Sequence, residues 1–193
     1  MDENIIEYNI LILGDMLVGK TGLFMKYITG SFPNNYLATL GFDSKLKTIQ
    51  IKGGKTIQVK ITDTSGGERY RNIIKKYYKK SHGIILVYDI TNKNSFESIK
   101  NWIISILNEV NTNISIFLVG NKSDCEEKRE ITKEQGENLA KIHGFLFSEC
   151  SAKYGVNVDF LFDELIKKIH GKFEKDEHIE GNNFYILKKY LSF

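Results

Sequence analysis

Short apolar runs alternate with amphipathic segments along this chain. Ile10–Leu13, Ile84–Tyr88 and Ile116–Val119 are dense in Ile, Val and Leu over four or five residues, as suits strands buried on both faces of a parallel sheet. Lys45–Ile51 and Thr56–Ile61 instead alternate (Leu46 and Thr48, then Ile49 and Ile51; Ile57, Val59 and Ile61) around Gly53-Gly54, which predicts a hairpin at a sheet edge. Helical patterns separate the strands. Asn94-Ser95-Phe96-Glu97 reads as a capping box ahead of a stripe of Phe96, Ile99, Ile103, Ile106, Leu107 and Val110, and Thr132-Lys133-Glu134-Gln135 opens a second helix the same way. Asn157 is positioned to cap a third, with Val158, Leu161, Phe162, Leu165, Ile166 and Ile169 at i, i+3, i+4, i+7 spacing. Strand–helix alternation predicts a doubly wound α/β domain with its ligand site at the carboxyl ends of the strands.

Length changes the picture little: 193 residues suit one domain, read here as residues 5–172, with a tail over 173–193 that begins polar and ends aromatic. A hydrophobic fraction of 41% and a charged fraction of 26% exclude wholesale disorder. The net charge of +3 is too mild to argue for a nucleic-acid partner. Two cysteines, Cys125 and Cys150, make no disulfide framework or metal spacing and fit a reducing compartment. The acidic start, Met1-Asp2-Glu3-Asn4, is unlike a secretory signal, and no apolar run approaches the roughly 20 residues that span a bilayer. The expectation is a soluble, cytoplasmic protein.

The first strand runs into Gly14-Asp15-Met16-Leu17-Val18-Gly19-Lys20-Thr21, which satisfies GxxxxGK[ST]. Glycines at both ends let the backbone curl so that successive N–H groups face phosphate oxygens. Lys20 brings positive charge to the β- and γ-phosphates, and the Thr21 hydroxyl can ligate Mg²⁺. Leu23, Phe24, Tyr27 and Ile28 form a helical apolar face, so the loop opens onto a helix. Three further segments choose the base. Ile61-Thr62-Asp63-Thr64-Ser65-Gly66-Gly67 ends a strand with a carboxylate for magnesium and a glycine whose N–H can meet the γ-phosphate. Asn121-Lys122-Ser123-Asp124 follows a buried strand, and a carboxylate there can accept two hydrogen bonds from guanine that adenine cannot offer. Ser151-Ala152-Lys153 closes the next strand and can cover the base.

Over roughly residues 5–172 the sequence resembles the Ras superfamily of small GTPases. It is most similar to the Rab branch in Leu86-Val87-Tyr88-Asp89-Ile90-Thr91, Tyr77-Tyr78 and Glu68-Arg69-Tyr70-Arg71. The resemblance implies a six-stranded, mostly parallel sheet with one antiparallel edge strand and about five helices. It implies a nucleotide set of Leu17, Val18, Gly19, Lys20, Thr21, Gly22, Phe32, Tyr36, Thr39, Gly66, Asn121, Lys122, Asp124, Ser151, Ala152 and Lys153. Magnesium would be held by Thr21, Thr39 and Asp63, and Lys20, Thr39, Gly66 and Gly67 would occupy the catalytic positions. Thr39 resembles the switch I threonine that senses the γ-phosphate, Phe32 the aromatic edge-on to guanine, and Tyr36 the tyrosine that folds over the phosphates; plain loop aromatics remain the alternative for the last two. The implied role is a GTP/GDP switch in vesicle or membrane trafficking. Its partners would be an exchange factor, a GTPase-activating protein and effectors that meet switches I and II, and the chain is expected to be a monomer.

Departures from that family reshape the expectation. Gly67 stands where a water-orienting glutamine is usual, so intrinsic hydrolysis should be slow unless an activator supplies a glutamine and an arginine. A non-cycling GTP-binding scaffold is the alternative. Met16 and Leu17 replace small residues; Leu17 needs a backbone conformation glycine often supplies, and Met16 either obstructs an arginine finger or points away. Ser44 and Thr62 occupy positions of the effector-facing aromatic triad, leaving only Tyr77 or Tyr78 to keep its ring. The chain closes Lys188-Lys189-Tyr190-Leu191-Ser192-Phe193 with its last cysteine at Cys150, so C-terminal prenylation is not expected, and Asp2 argues against myristoylation. Phe184, Tyr185, Leu187, Tyr190 and Leu191 suit packing on the domain or a partner better than a membrane interface, though peripheral membrane contact stays open.

Overall fold

The computed structural model describes residues 6–33, 39, 41–51, 56–67, 71–110 and 114–190, with Arg71 and residues 175–190 described by backbone alone. Six strands form one sheet: β1 (Ile6–Leu13), β2 (Phe42–Gln50), β3 (Thr56–Thr64), β4 (Gly83–Asp89), β5 (Ser115–Asn121) and β6 (Leu146–Cys150). Their spatial order is β2-β3-β1-β4-β5-β6. Only the β2–β3 pair is antiparallel, with Ile49 opposite Ile57 and Ser44 opposite Thr62, so the edge hairpin lies where the alternating pattern put it. Its turn, around Gly53-Gly54, is outside the described residues.

The helices are α1 (Lys20–Thr29), α2 (Arg71–Tyr78), α3 (Lys93–Glu97), α4 (Ile99–Leu107), α5 (Lys133–His143) and α6 (Val158–Tyr190). Period-2 alternation in the central strands feeds two cores. Tyr8, Ile10, Ile12, Ile85, Val87, Phe117 and Val119 pack with Leu23, Phe24 and Tyr27 of α1 and with Phe162, Leu165 and Ile169 of α6. Leu11, Leu13, Ile84, Leu86, Tyr88, Ile116 and Leu118 face the other side, against Ile74 and Tyr78 of α2, Ile99, Trp102, Ile103 and Ile106 of α4, and Ala140 of α5. The continuous apolar runs are thus explained: both faces are covered.

Three local expectations need correction. The cap of α3 is Asn92, whose side chain accepts from the Ser95 amide, and Asn94 lies inside the helix. The reason is Ser95 itself: its hydroxyl turns inward to the Asn92 carbonyl at 2.8 Å and accepts from the Asp89 amide at 3.0 Å, which starts the turn two residues early. Leu107 is 55% exposed rather than part of the buried stripe, because it lies about 100° around the helix from the buried Ile106. Asn157 precedes α6 with a left-handed φ of 59°, and its amide nitrogen donates to the Glu149 carbonyl at 2.8 Å instead of serving the helix end. By contrast Thr132 and Gln135 form the expected reciprocal box on α5.

The backbone of residues 173–190 continues α6, a helix of 33 residues and about 50 Å. Among the described residues no helix is long and apolar enough to cross a membrane. Strand order reverses at β1: the connection leaving β1 passes through α1 on one face of the sheet, and the connection from β3 to β4 passes through α2 on the other. The crevice beyond the carboxyl end of β1 is therefore the natural ligand position.

Candidate functional site

The loop between β1 and α1 fills that crevice. Gly14 has φ 140° and Gly19 φ 94°, and a Cβ on Gly19 would run into the Asn121 side chain, so both ends of the loop require glycine. Leu17 adopts φ 66° without being glycine, as its sequence position suggested, and its side chain is 61% exposed. Met16 likewise points largely to solvent.

Lys20 opens α1, yet is buried. Its ammonium donates to the Asp15 carbonyl at 2.6 Å. Burial lowers its pKa to about 8, opposed by the negative charges of Asp63 and Asp15. A buried cation of this kind is a receptor for anionic oxygen.

Beside it three oxygens converge. The Thr21 hydroxyl donates to Asp63 Oδ2 at 2.7 Å, Thr39 donates to the same oxygen at 3.2 Å, and the two hydroxyls are 2.8 Å apart. The other carboxylate oxygen, Asp63 Oδ1, is buried without a hydrogen-bond partner, and burial raises the carboxyl's pKa. Two hydroxyls and a carboxylate with an orphaned buried oxygen are hard ligands suited to Mg²⁺. Beyond Asp63, Gly66 lies directly on the loop. A Cβ there would sit 2.5 Å from the Met16 nitrogen and closer still to the Asp15 carbonyl carbon. Gly67 has no side chain to offer, and its N–H donates to Ser65 Oγ at 3.3 Å.

The base side is built from β5 and β6. Asn121 is buried, and its amide group works as a rivet: Nδ2 donates to the Val18 carbonyl at 2.9 Å, and Oδ1 accepts from the Ala152 amide at 3.2 Å. Asp124 is exposed, with one oxygen accepting from Ser151 Oγ at 2.6 Å, so its carboxylate is oriented yet accessible. Phe32 lies against Gly22, with Ala152 on the same side. Lys153 is exposed and its ammonium lies over the Tyr154 ring, 5.0 Å from the centroid. Tyr36 is outside the described residues.

Some partners were missed in the sequence. Lys122, at φ 67°, pairs with the buried Asp89 at 2.5 Å, and Asp89 also accepts from the Thr91 amide and hydroxyl. Asp89 ends β4 at a strand's carboxyl terminus, which is the signal that would have singled it out. Trp102 of α4 donates its indole N–H to Asp15 at 2.8 Å, a long-range pair that no local pattern announces. At the edge hairpin, Ser44 and Thr62 hydrogen-bond to each other at 2.8 Å. Tyr78 is 1% exposed, so the ring on the surface is Tyr77, which packs on Phe42 at 5.1 Å between centroids.

A family model described as the Ras family matches residues 9–171. The chain belongs to the Ras family. Among its relatives, the Ras-related protein Rab-13 of Mesocricetus auratus is 44% identical over 162 residues, which are 84% of this chain and 79% of the relative. The Ras-related protein Rab-8A of Bos taurus is 40% identical over 176 residues, 91% of this chain and 84% of the relative. This Ras-family protein is therefore a small GTPase near the Rab branch, which binds GTP and GDP and hydrolyses GTP. Its sheet, with five parallel strands and one antiparallel edge strand, is the fold expected of such a domain.

Proposed function

We propose that this GTPase is a Rab-type, magnesium-dependent switch in membrane trafficking, with slow hydrolysis of its own. The observation that carries the reading is the convergence of Thr21, Thr39 and Asp63, with Gly66 seated on the phosphate loop. These residues come from α1, the segment before β2, the end of β3 and the segment after it. Such a cluster makes the position of two surface segments depend on what occupies the crevice.

Thr21, Thr39 and Asp63 would hold the magnesium ion, which when bound neutralises phosphate charge. Lys20 holds positive charge at the same place, in a buried setting where it is worth more than in water. The N–H groups of the 14–19 loop cradle phosphate oxygens, Gly66 brings its N–H to the third phosphate, and Asp124 accepts from the guanine edge. Phe32 closes the base side. These groups bind and orient. No side chain at position 67 orients a water, and loss of one positioned group costs about 10²–10³ in rate.

Gly67 also favours a second reading, a GTP-bound scaffold that does not cycle. Exchange factors, activators and effectors that meet the Thr39–Tyr77 surface belong to the first reading. In the second, effectors alone are needed. Identifying the nucleotide on freshly purified protein, then following single-turnover hydrolysis, separates them. Slow conversion of GTP to GDP supports the switch, retained GTP over days supports the scaffold, and no guanine nucleotide contradicts both.

A further inference from the structure

We infer that the exposed face of α2, together with the adjoining side of the β2–β3 hairpin, docks an acidic segment of a partner protein. The inference deepens the switch reading above and rests on it, because it names the chemistry of what meets that surface.

Residues 69–80 carry six of the chain's positive charges and no negative one, against a net charge of +3 for all 193 residues. Of these, the fold places Lys75 and Lys76 in the last turn of α2 and Lys79 and Lys80 just after it. A helix C-terminus favours cations, which accounts for the first two. It does not ask for a further pair four residues on, where like charges repel. Among the described residues Lys75, Lys76 and Lys80 have no acidic partner, and Lys79 reaches Glu109 at 3.9 Å with its own side chain 69% exposed. This charge is left for something outside the chain.

The same face continues onto the hairpin. Tyr77, next to Lys76, packs on Phe42, and Phe42, Ser44 and Leu46 follow one another along one side of β2. Ser44 and Thr62 bond to each other across the pair, so the middle of this surface offers two small hydroxyls and little apolar area. Ile73, one turn before Tyr77, is exposed, but Ile74 and Tyr78 are turned into the core. The helix therefore has no apolar face to insert in a bilayer. A wide anionic plane would also meet Glu109, beside Lys79, and the exposed Asp43, beside Phe42. A narrow acidic segment need meet neither.

The test uses the full chain loaded with a non-hydrolysable GTP analogue and, separately, with GDP. The probe is a fluorescein-labelled peptide of glutamate pairs separated by single leucines, and anisotropy reads its binding. The unaltered chain should bind it, and less tightly as salt rises. Lys76→Glu with Lys80→Glu should weaken binding about tenfold, since two attractions become repulsions. Lys76→Gln with Lys80→Gln should weaken it less. Lys128→Glu with Lys141→Glu makes the same change of charge at exposed positions elsewhere and should leave binding nearly unaltered. No binding of the peptide, or equal weakening by the two glutamate pairs, overturns the inference. So does sedimentation with phosphatidylserine vesicles that Lys76→Glu with Lys80→Glu abolishes, because it gives the face to a membrane. Equal peptide binding in the two nucleotide forms would contradict the switch while supporting the acidic partner. A chain that takes up neither nucleotide fails the functional reading, and the peptide titrations then run on the protein as purified.

Discussion

Thr21 and Asp63 are joined by a 2.7 Å hydrogen bond from the first turn of α1 to the end of β3, two parts of the chain 42 residues apart. Thr39 closes on the same carboxylate oxygen from a third segment. The three oxygens meet at one point, and Asp63 keeps its second oxygen buried and unpartnered. Replacing Asp63 by Ala should leave the sheet intact and weaken magnesium-dependent retention of nucleotide by about tenfold or more, since a buried charged ligand is lost. Nucleotide release rates with magnesium and with chelator check this. The two rates should differ widely in the unaltered protein and far less in the variant.

Lys20 predicts a pH dependence. Its pKa in the fold, about 8, is below the unfolded value of 10.5, so between those values the unfolded chain binds more protons. Stability of the nucleotide-free protein should therefore rise as pH climbs through that window, and below about pH 8 the cost of the buried cation is fully present. Phosphate favours the charged lysine. Nucleotide binding should thus take up a proton above about pH 8 and none from Lys20 near pH 6.5. Calorimetry in buffers of different ionisation enthalpy measures this uptake directly.

Gly66 leaves no room for a side chain against Asp15 and Met16. Gly66→Ala should push this segment off the loop. GDP binding is expected to stay within a few-fold of normal, while the difference in affinity between GTP and GDP disappears. Competition titrations with the two nucleotides report it.

Gly67→Gln restores the one side chain missing from the catalytic positions. Single-turnover hydrolysis should accelerate by about tenfold or more, toward the gain a positioned group usually gives. An unchanged rate would place the limitation elsewhere, with Met16 the next residue to replace.

Asn121 ties β5 to the phosphate loop and to the β6 loop through two main-chain groups. Asn121→Ala leaves both unsatisfied in a buried site, which costs about 2–4 kcal/mol. Thermal unfolding should show the loss, with faster nucleotide release alongside.

Sequence periodicity carried the architecture well for a physical reason. Ile84–Tyr88 and Ile116–Val119 are apolar throughout because helices cover both faces, and Lys45–Ile51 alternates because its edge hairpin has one open face. The phosphate loop and Asp63 were legible because their chemistry depends on spacing within a few residues. The α3 start was misjudged because a single inward hydroxyl, Ser95, outweighed the local cap pattern. The partners of Asp89 and Trp102 were not legible, although the place of Asp89 at the carboxyl end of β4 marked it as a candidate. Each acts on a partner 33 or 87 positions away, and only the fold brings Lys122 and Asp15 to them. Asn121 was placed in the nucleotide set, and that its amide also ties Val18 to Ala152 is a role that needs coordinates to see.

The central claim is that the segments carrying Thr39 and Gly66 sense the third phosphate of a guanine nucleotide. Hydrogen exchange over residues 39–67, compared with magnesium and either GDP or a non-hydrolysable GTP analogue, tests it most directly. Stronger protection of Thr39, Gly66 and Gly67 with the analogue, and none with the adenine counterparts, is the predicted result. Equal exchange in the two guanine-nucleotide states would contradict it.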